Sequence, residues 1–215
     1  MDWHQQVEVV TPHVTKITTP ETSGTGFLVL RKGNRFGVAT AAHVVSDAIA
    51  LQRNITIHHD AFETPLTLGE SARITLIHPD IDSAYIEGEL PSDIKGSFFP
   101  EKPVEAVPLG TSVKPGVQVG WLGFPYMVPN EEPCFFSGHI SAYISGSGRY
   151  FIDGVAIPGV SGGPAFLCHR EKPLVVRILG SITSYAPARS GQESIPGLMV
   201  ADMCSHWHKF FGEKS

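Results

Sequence analysis

The stretch Pro158-Gly159-Val160-Ser161-Gly162-Gly163-Pro164 places one serine among three glycines, with a proline at each end. Glycine holds backbone conformations that other residues adopt only at a cost, and it lets other groups approach the main chain closely. Proline fixes φ at both ends of the stretch. Such a turn can expose a serine hydroxyl and aim backbone N–H groups at one point, which is what acyl transfer needs. The alternative interpretation is an ordinary loop rich in glycine and proline.

Catalysis by serine also needs a base that takes the hydroxyl proton and a carboxylate that orients the base. The chain offers His43, Asp82 and Ser161 in that order. His43 follows a predicted strand over residues 36–40 and opens a short apolar helical segment. Asp82 precedes a run that is typical of a buried strand, where a carboxylate must be paired because unpaired burial is costly. Asp80 lies close by and competes with Asp82 for the role.

The rest of the chain consists of short apolar runs separated by turn residues, a pattern typical of β-sandwiches and β-barrels. Its 22 glycines and 17 prolines among 215 residues are natural for a turn-rich all-β protein. We predict a first strand over residues 7–17 that is broken by Pro12. Residues 89–108 show little periodicity and are interpreted as the connection between two halves. Residues 201–211 are predicted to form a C-terminal helix.

Composition excludes several classes of function. The formal net charge is −5 and no basic run occurs, so no nucleic acid is expected as a partner. The polar start and the absence of a long apolar stretch predict neither a secretory signal nor a membrane partner. Cys134, Cys168 and Cys204 are too few for a disulfide framework, which favours a reducing compartment and predicts a cytoplasmic location. Cys204 and His208 have helical ligand spacing, but no second ligand pair stands out, so we expect no metal and no cofactor.

The local contexts of the three candidate residues resemble those of chymotrypsin-like serine proteases, which share the order His, Asp, Ser. Thr40-Ala41-Ala42-His43 resembles the Ala-Ala-His box of that family. Asp82-Ser83-Ala84-Tyr85 resembles its Asp-x-Ala segment, which favours Asp82 over Asp80. The stretch from Gly159 to Pro164 resembles its Gly-x-Ser-Gly-Gly-Pro box.

Further segments resemble the bacterial trypsin-like proteases of the HtrA (Deg) type. Ser23-Gly24-Thr25-Gly26-Phe27 is similar to their Gly-Ser-Gly-Phe strand. Gly123-Phe124-Pro125 is similar to their Gly-x-Pro segment, and Ser137-Gly138-His139-Ile140-Ser141 to their Ser-Gly-x-x-Ser segment. The similarity extends from about residue 7 to about residue 210.

This resemblance implies an all-β fold of two six-stranded antiparallel β-barrels, with the active site in the cleft between them and a short C-terminal helix. The N-terminal barrel, including the connection, would span residues 1–108, the C-terminal barrel residues 109–200 and the helix residues 201–215. His43 and Asp82 would come from the first barrel and Ser161 from the second. The backbone N–H groups of Gly159 and Ser161 would form the oxyanion hole.

Two departures from the family pattern carry information. Val160 stands where proteases activated from a zymogen have an aspartate that pairs with a newly cut N-terminus. We therefore expect this chain not to depend on that route of activation. No module that resembles a PDZ domain is expected after the last barrel, which would remove the usual peptide sensor of the family.

The position of the specificity pocket follows from the same resemblance. Val155 lies six residues before Ser161, where the floor of the S1 pocket is built, and an apolar floor predicts small or medium apolar P1 residues. Asp153 lines the pocket instead if the register differs by two residues. The residues predicted to bind the substrate are Val155, Thr183, Ser184, Tyr185 and Gly197.

The leading functional hypothesis is a serine endopeptidase that acts on a protein or peptide substrate through an acyl-enzyme. The alternative is a catalytically silent or latent protein with a protease fold, which binds peptides or a regulatory partner and needs a separate activator. Covalent labelling by a fluorophosphonate distinguishes the two.

Overall fold

The computed structural model describes residues 3–78, 80–90, 99–108, 110–129, 132–155, 157–168, 175–187 and 194–203. The helices in these residues are α1 (His4–Val10) and α2 (Ala42–Ala50). The strands of the N-terminal sheet are β1 (Val14–Thr18), β2 (Ser23–Lys32), β3 (Arg35–Thr40), β4 (Ile55–His58), β5 (Leu66–Leu68), β6 (Ile74–Ile77) and β7 (Ala84–Glu89). The strands of the C-terminal sheet are β8 (Gln118–Gly123), β9 (Cys134–Ile144), β10 (Arg149–Asp153), β11 (Pro164–Cys168), β12 (Val176–Pro187) and β13 (Ser194–Met203).

The C-terminal sheet closes into a six-stranded antiparallel barrel with the order β10-β13-β12-β11-β8-β9. The N-terminal sheet has seven antiparallel strands in the order β5-β4-β1-β2-β3-β7-β6 and curls into a half-barrel. Its two outer strands follow each other in the chain and are joined by the short segment 69–73, which keeps the two edges near each other. The prediction of an all-β, chymotrypsin-like double barrel is confirmed, but the N-terminal unit is a seven-stranded half-barrel and not the six-stranded barrel that was expected.

Strand β2 lies between the two hydrophobic cores. Successive side chains of a strand point to opposite faces of the sheet. Phe27 accordingly packs in the core of the C-terminal barrel, whereas Leu28 packs in the core of the N-terminal half-barrel. On the neighbouring β3, Ala39 packs in the core of the C-terminal barrel and Val38 in the core of the N-terminal half-barrel. The first residues of β2 therefore reach the junction where residues of both barrels meet.

The N-terminal segment is not the strand predicted for residues 7–17. Residues His4–Val10 form α1, Thr11–His13 form a 3-10 turn that contains Pro12, and only Val14–Thr18 is a strand. Trp3, Val7 and Val10 are spaced as on one face of a helix, and all three pack against the C-terminal barrel. The Trp3 ring contacts Phe135 and Phe166 of that barrel.

The start of the predicted C-terminal helix is also wrong. Residues 201–203 belong to β13, where Ala201 is opposite Tyr150 and Asp202 is opposite Arg149 on β10. Alternating ladder contacts on two neighbouring strands thus override the helical apolar pattern at this point. The remainder of the predicted helix, from residue 204 onward, lies outside the described residues.

The end of the connection between the barrels packs on the C-terminal barrel. Ala106 forms a parallel bridge with Ile178, and the Val107 N–H donates to the Ile178 carbonyl over 2.8 Å. Val104 and Val107 both contact the core of that barrel. The division of the chain at residues 108 and 109 stays a prediction.

Candidate active site

The turn around Ser161 needs glycine for both conformation and space. Gly159 has φ +95 and Gly162 has φ +87, values that favour glycine strongly. A Cβ on Gly159 would lie 2.3 Å from the Phe124 carbonyl oxygen, and one on Gly162 would lie 2.0 Å from the Thr25 carbonyl oxygen. The glycines predicted to shape this turn therefore let it press against β2 and against the end of β8.

The carbonyl groups that precede Ser161 in the turn are held by hydrogen bonds. The Pro158 oxygen accepts from the Tyr126 N–H over 2.8 Å, and the Gly159 oxygen accepts from the Thr25 hydroxyl over 2.7 Å. The Val160 oxygen accepts from the Gly163 N–H over 2.9 Å. Two later carbonyl groups are also bonded: the Ser161 oxygen accepts from Thr25 N–H, and the Gly163 oxygen accepts from Ile182 N–H.

The same hydrogen bonds also fix the direction in which two N–H groups point. A trans peptide is planar, so its N–H points away from its own C=O. Because the Pro158 and Val160 carbonyl groups are held by hydrogen bonds, the N–H groups of Gly159 and Ser161 point away from the donors that hold those carbonyl groups. Among the described residues neither N–H meets an acceptor, whereas the N–H groups of residues 160, 162 and 163 are all donated within the fold. Free backbone donors beside a serine can stabilise an oxyanion when both point at it.

His43 and Asp82 are joined by two hydrogen bonds. His43 Nδ1 lies 2.6 Å from Asp82 Oδ2, and the His43 backbone N–H donates to Asp82 Oδ1 over 2.9 Å. His43 lies in the first turn of α2, which begins directly after β3, and Asp82 lies two residues before β7. Because β3 pairs with β7, with Thr40 opposite Ala84, the sheet itself brings the two side chains together. With a carboxylate at Nδ1, that nitrogen carries the proton and Nε2 is left as the acceptor.

This pairing shifts the pKa of His43 and that of Asp82 in the directions expected for an ion pair. The hydrogen bond that His43 donates to Asp82 raises the pKa of His43 above its ordinary value, against the opposing effect of burial. Burial alone would raise the pKa of Asp82, but the hydrogen bonds from the ring and backbone of His43 and from the backbone of Ala42 hold it below its ordinary value. Asp82 therefore stays ionised near neutral pH and favours the protonated form of the imidazole.

The turn with Ser161 lies against the segment that carries His43. A Cβ on Gly24 would be 3.1 Å from the Ser161 carbonyl oxygen and 2.5 Å from the side chain of Val44, the neighbour of His43. The Ser161 hydroxyl donates to the Thr183 carbonyl over 3.4 Å and forms no hydrogen bond with His43 in this structure. Such contacts are often long in a ligand-free site and tighten when a substrate is bound.

Asp80, the competing carboxylate, does not contact His43 through a hydrogen bond. It is exposed, and its backbone N–H donates to His78 Nδ1 over 3.2 Å. Of the two aspartates, the structure therefore brings only Asp82 to the histidine.

The residues predicted to bind substrate are placed as follows. Thr183 is buried on β12, Ser184 next to it is exposed, and the Tyr185 side chain lies outside the described part of the chain. Gly197 has φ +78 and its carbonyl accepts from the Gly154 N–H over 2.9 Å, so β13 lies beside the segment that leads to Val155. The Val155 side chain is 49% exposed.

Asp153, the alternative pocket residue, is engaged by His139. The His139 backbone N–H donates to Asp153 Oδ1, and His139 Nδ1 lies 3.5 Å from Asp153 Oδ2. Both residues are on outward faces of neighbouring strands, β9 and β10. This carboxylate therefore already has a polar partner.

Two further residues near the turn were not predicted from the sequence. Thr25 is buried and bonds the turn from β2, although its stretch was interpreted only through its resemblance to a family strand. Asp202 on β13 is 1% exposed and accepts from Arg149 Nε over 2.9 Å. Burial raises the pKa of Asp202, and the charge of Asp82 acts in the same direction. An alternating hydrophobic strand pattern gives no signal for such a buried acid.

Val160 is fully buried in the core of the C-terminal barrel. A Cβ on Gly123 would lie 2.8 Å from its side chain, so Val160 packs tightly against β8. The Val160 side chain is thus held in place by apolar packing, and it offers no charge to an ion pair.

The described residues contain no group of three metal-binding side chains. Cys204 and His208 lie outside the described part of the chain. No described helix is both long enough and apolar enough to span a membrane.

Comparison with known proteins supports the fold and the class of protein. The crystal structure of Rv3671c from M. tuberculosis H37Rv, solved as an inactive form with a serine-to-alanine substitution, matches with a TM-score of 0.63 at 18% identity, covering 97% of this chain and 92% of that one. No curated protein sequence matches the chain. The trypsin-like peptidase domain family matches residues 24–174, which is more than half of the chain. On that match, the chain belongs to the trypsin-like peptidase domain family.

Proposed function

We propose that this chain is a serine endopeptidase of the HtrA type that hydrolyses peptide bonds through Ser161, His43 and Asp82. The observation that carries the proposal is the hydrogen bonding of the turn that contains Ser161. Its Pro158 and Val160 carbonyl groups are engaged by hydrogen bonds, whereas the N–H groups of Gly159 and Ser161 meet no acceptor among the described residues. Free backbone donors beside a nucleophile are what an oxyanion requires.

The proposed reaction follows from the geometry. Ser161 Oγ turns from the Thr183 carbonyl toward His43 Nε2 and attacks the carbonyl carbon of the substrate while Nε2 takes its proton. Asp82 holds Nδ1–H and stabilises the imidazolium. The negative oxygen of the tetrahedral intermediate binds the N–H groups of Gly159 and Ser161. His43 then protonates the leaving amine, and water releases the acyl group from Ser161 by the same steps in reverse.

We propose that the enzyme prefers small or medium apolar P1 residues. The half-exposed Val155 can be covered by an aliphatic side chain, which gains roughly 1.5–3 kcal/mol from full burial. A cationic P1 group would lose hydration against this apolar floor without gaining an ion pair from it. Cleavage after Val, Ala or Leu should therefore exceed cleavage after Arg or Lys by at least about tenfold.

A peptide library profiled by cleavage site measures this preference, with Ser161→Ala as the control for a contaminating protease. A clear preference for Arg or Lys would contradict the apolar pocket and assign its floor to Asp153.

The proposed partners are a protein or peptide substrate and, for control of activity, a regulatory protein; the proposed location is the cytoplasm. The buried Val160 supports a protease that needs no newly cut N-terminus.

The activity itself is tested by a fluorophosphonate, with the adduct mapped by mass spectrometry. We expect one adduct, on Ser161, that is absent from Ser161→Ala and from protein unfolded in urea. Turnover accompanied by an adduct on another serine would contradict the assignment. No adduct and no cleavage of any peptide would favour the silent or latent alternative.

A further inference from the structure

We propose that Thr25 is a positioning residue, whose hydroxyl holds the oxyanion-binding turn of the second barrel in its active geometry from the first barrel. The inference rests on the proposed serine protease function. It concerns a side chain that does not touch the substrate and acts through the backbone at Gly159.

The direction of the hydrogen bonds at the Thr25 hydroxyl is fixed. Its oxygen lies 2.7 Å from the Gly159 carbonyl, which can only accept, so the single hydroxyl proton is donated there. The same oxygen accepts from the Phe124 backbone N–H over 3.0 Å. The hydroxyl therefore joins two backbone segments of the C-terminal barrel that flank the turn, and no other rotation of the proton satisfies both.

The backbone of Thr25 is anchored as firmly as its side chain. The Thr25 N–H donates to the Ser161 carbonyl over 2.8 Å, and the Thr25 carbonyl accepts from the Thr40 hydroxyl over 2.7 Å. The residue is fully buried, and Gly162 lies so close that a Cβ there would meet the Thr25 carbonyl at 2.0 Å. Thr25 is thus a rigid reference point on β2 rather than an adaptable contact.

The effect on catalysis comes from the peptide that joins residues 159 and 160. Its carbonyl is held by Thr25, while its N–H is held by the Ile157 carbonyl over 3.0 Å. Gly159 lies between this peptide and the preceding one, and glycine opposes rotation about its own φ and ψ only weakly. Without the Thr25 hydroxyl the peptide loses one of its two restraints, and the direction of the Gly159 N–H toward the developing oxyanion then depends on the bond from Tyr126 N–H to the Pro158 carbonyl alone.

The test compares Thr25→Val, which removes the hydroxyl at nearly equal volume, with Thr25→Ser, which keeps it and removes a methyl group. Thr15→Val is the matched control, because Thr15 is a buried threonine on the adjacent β1 whose hydroxyl has no hydrogen-bond partner among the described residues. We expect Thr25→Val to lower kcat at least about tenfold with KM within twofold, since the donor it misaligns is worth about 10² to 10³ in rate. Thr25→Ser and Thr15→Val should keep kcat within about threefold of the unaltered protein, far short of that loss.

A second readout is the inhibition constant of a peptide aldehyde, which forms a hemiacetal with Ser161 and places an oxyanion in the same hole. This inhibition constant should rise in Thr25→Val in proportion to the loss of kcat. A general packing defect would change KM as well. If Thr25→Val does not fold, as judged by circular dichroism, Thr25→Ala takes its place with the same expectation.

The inference is overturned if Thr25→Val keeps kcat within threefold, or if Thr25→Ser loses as much as Thr25→Val. Failure of the proposed function has a different signature, since the unaltered protein would then neither cleave peptide nor react with a fluorophosphonate.

Discussion

Replacing Gly159 by alanine perturbs one donor of the proposed oxyanion hole without changing the side chains of His43, Asp82 and Ser161. The added Cβ would lie 2.3 Å from the Phe124 oxygen and 2.8 Å from the Tyr126 nitrogen, both of them backbone atoms. Real Cβ contacts are not that short, so the turn must move. The movement that separates these atoms weakens the bond from Tyr126 N–H to the Pro158 carbonyl, which is the bond that directs the Gly159 N–H.

The structure allows two magnitudes to be derived for Gly159→Ala. Holding alanine at φ +95 costs about 1–3 kcal/mol of backbone strain, and loss of one hydrogen bond adds about 1 kcal/mol, so the free energy of unfolding should fall by about 2–4 kcal/mol. Loss of one oxyanion donor costs about 2.7–4 kcal/mol in the transition state, which lowers kcat by about 10²- to 10³-fold.

The matched control is Gly116→Ala. Gly116 has φ +86, but no atom lies within 4 Å of the place that an alanine Cβ would take, so the variant carries the backbone strain without the collision. Urea unfolding should show only the strain, a loss of about 1–3 kcal/mol for this variant, with kcat unchanged. Steady-state hydrolysis of one peptide ester and one peptide amide by both variants gives kcat and KM.

The reasoning on Gly159 is refuted if the folded Gly159→Ala variant keeps kcat within threefold of the unaltered protein. It is also refuted if Gly116→Ala loses as much activity, because strain anywhere in the second barrel would then suffice.

Three further predictions concern charge. Asp82→Asn should stay folded yet lose about four orders of magnitude in turnover, as in the chymotrypsin-type precedent. Asp80→Asn should change turnover little. The reverse outcome would assign the role of orienting carboxylate to Asp80. His43 must be neutral to act as the base, and Asp82 raises its pKa. As the pH rises, kcat/KM should therefore increase with a midpoint above pH 6.5. A midpoint below pH 6.5 would contradict the pairing of His43 with Asp82. Burial raises the pKa of Asp202 above 3.8, so the folded state holds that proton more tightly than the unfolded state. The free energy of unfolding should therefore fall as the pH rises from 3.8 through the folded pKa, and Asp202→Asn should not show this fall. If the free energy of unfolding in urea depends on pH in the same way for both proteins, the prediction is contradicted.

The sequence predicted those features of the site that depend on local chemistry. Glycine and proline around Ser161 indicated a tight turn, and the structure contains one in which Gly159 and Gly162 have positive φ. Asp82 was expected to need a partner because it enters a buried strand, and His43 is hydrogen-bonded to it. The double-barrel fold followed from the family resemblance and from the short strands that glycine and proline separate.

Features set by contacts between distant segments were not predictable in this way. Apolar residues at positions 7 and 10 fit a strand as well as a helix, and the packing of α1 on the C-terminal barrel decides between them. The course of residues 201–203 depends on ladder bonds to β10 and β12, which override helical periodicity. Thr25 carries no local sign of its role, because its partner in the turn is 134 residues away.

That separation along the chain has a consequence for the newly made protein. Synthesis delivers the N-terminal half-barrel first, so His43 and Asp82 can be paired while the nucleophile is still absent. The turn around Ser161 acquires its bonds to Thr25 only when the second barrel has formed and docked on β2. In the proposed protease, hydrolytic power would therefore arise last, after the N-terminal half-barrel has folded. Protection of the nascent chain would in this way be a property of topology.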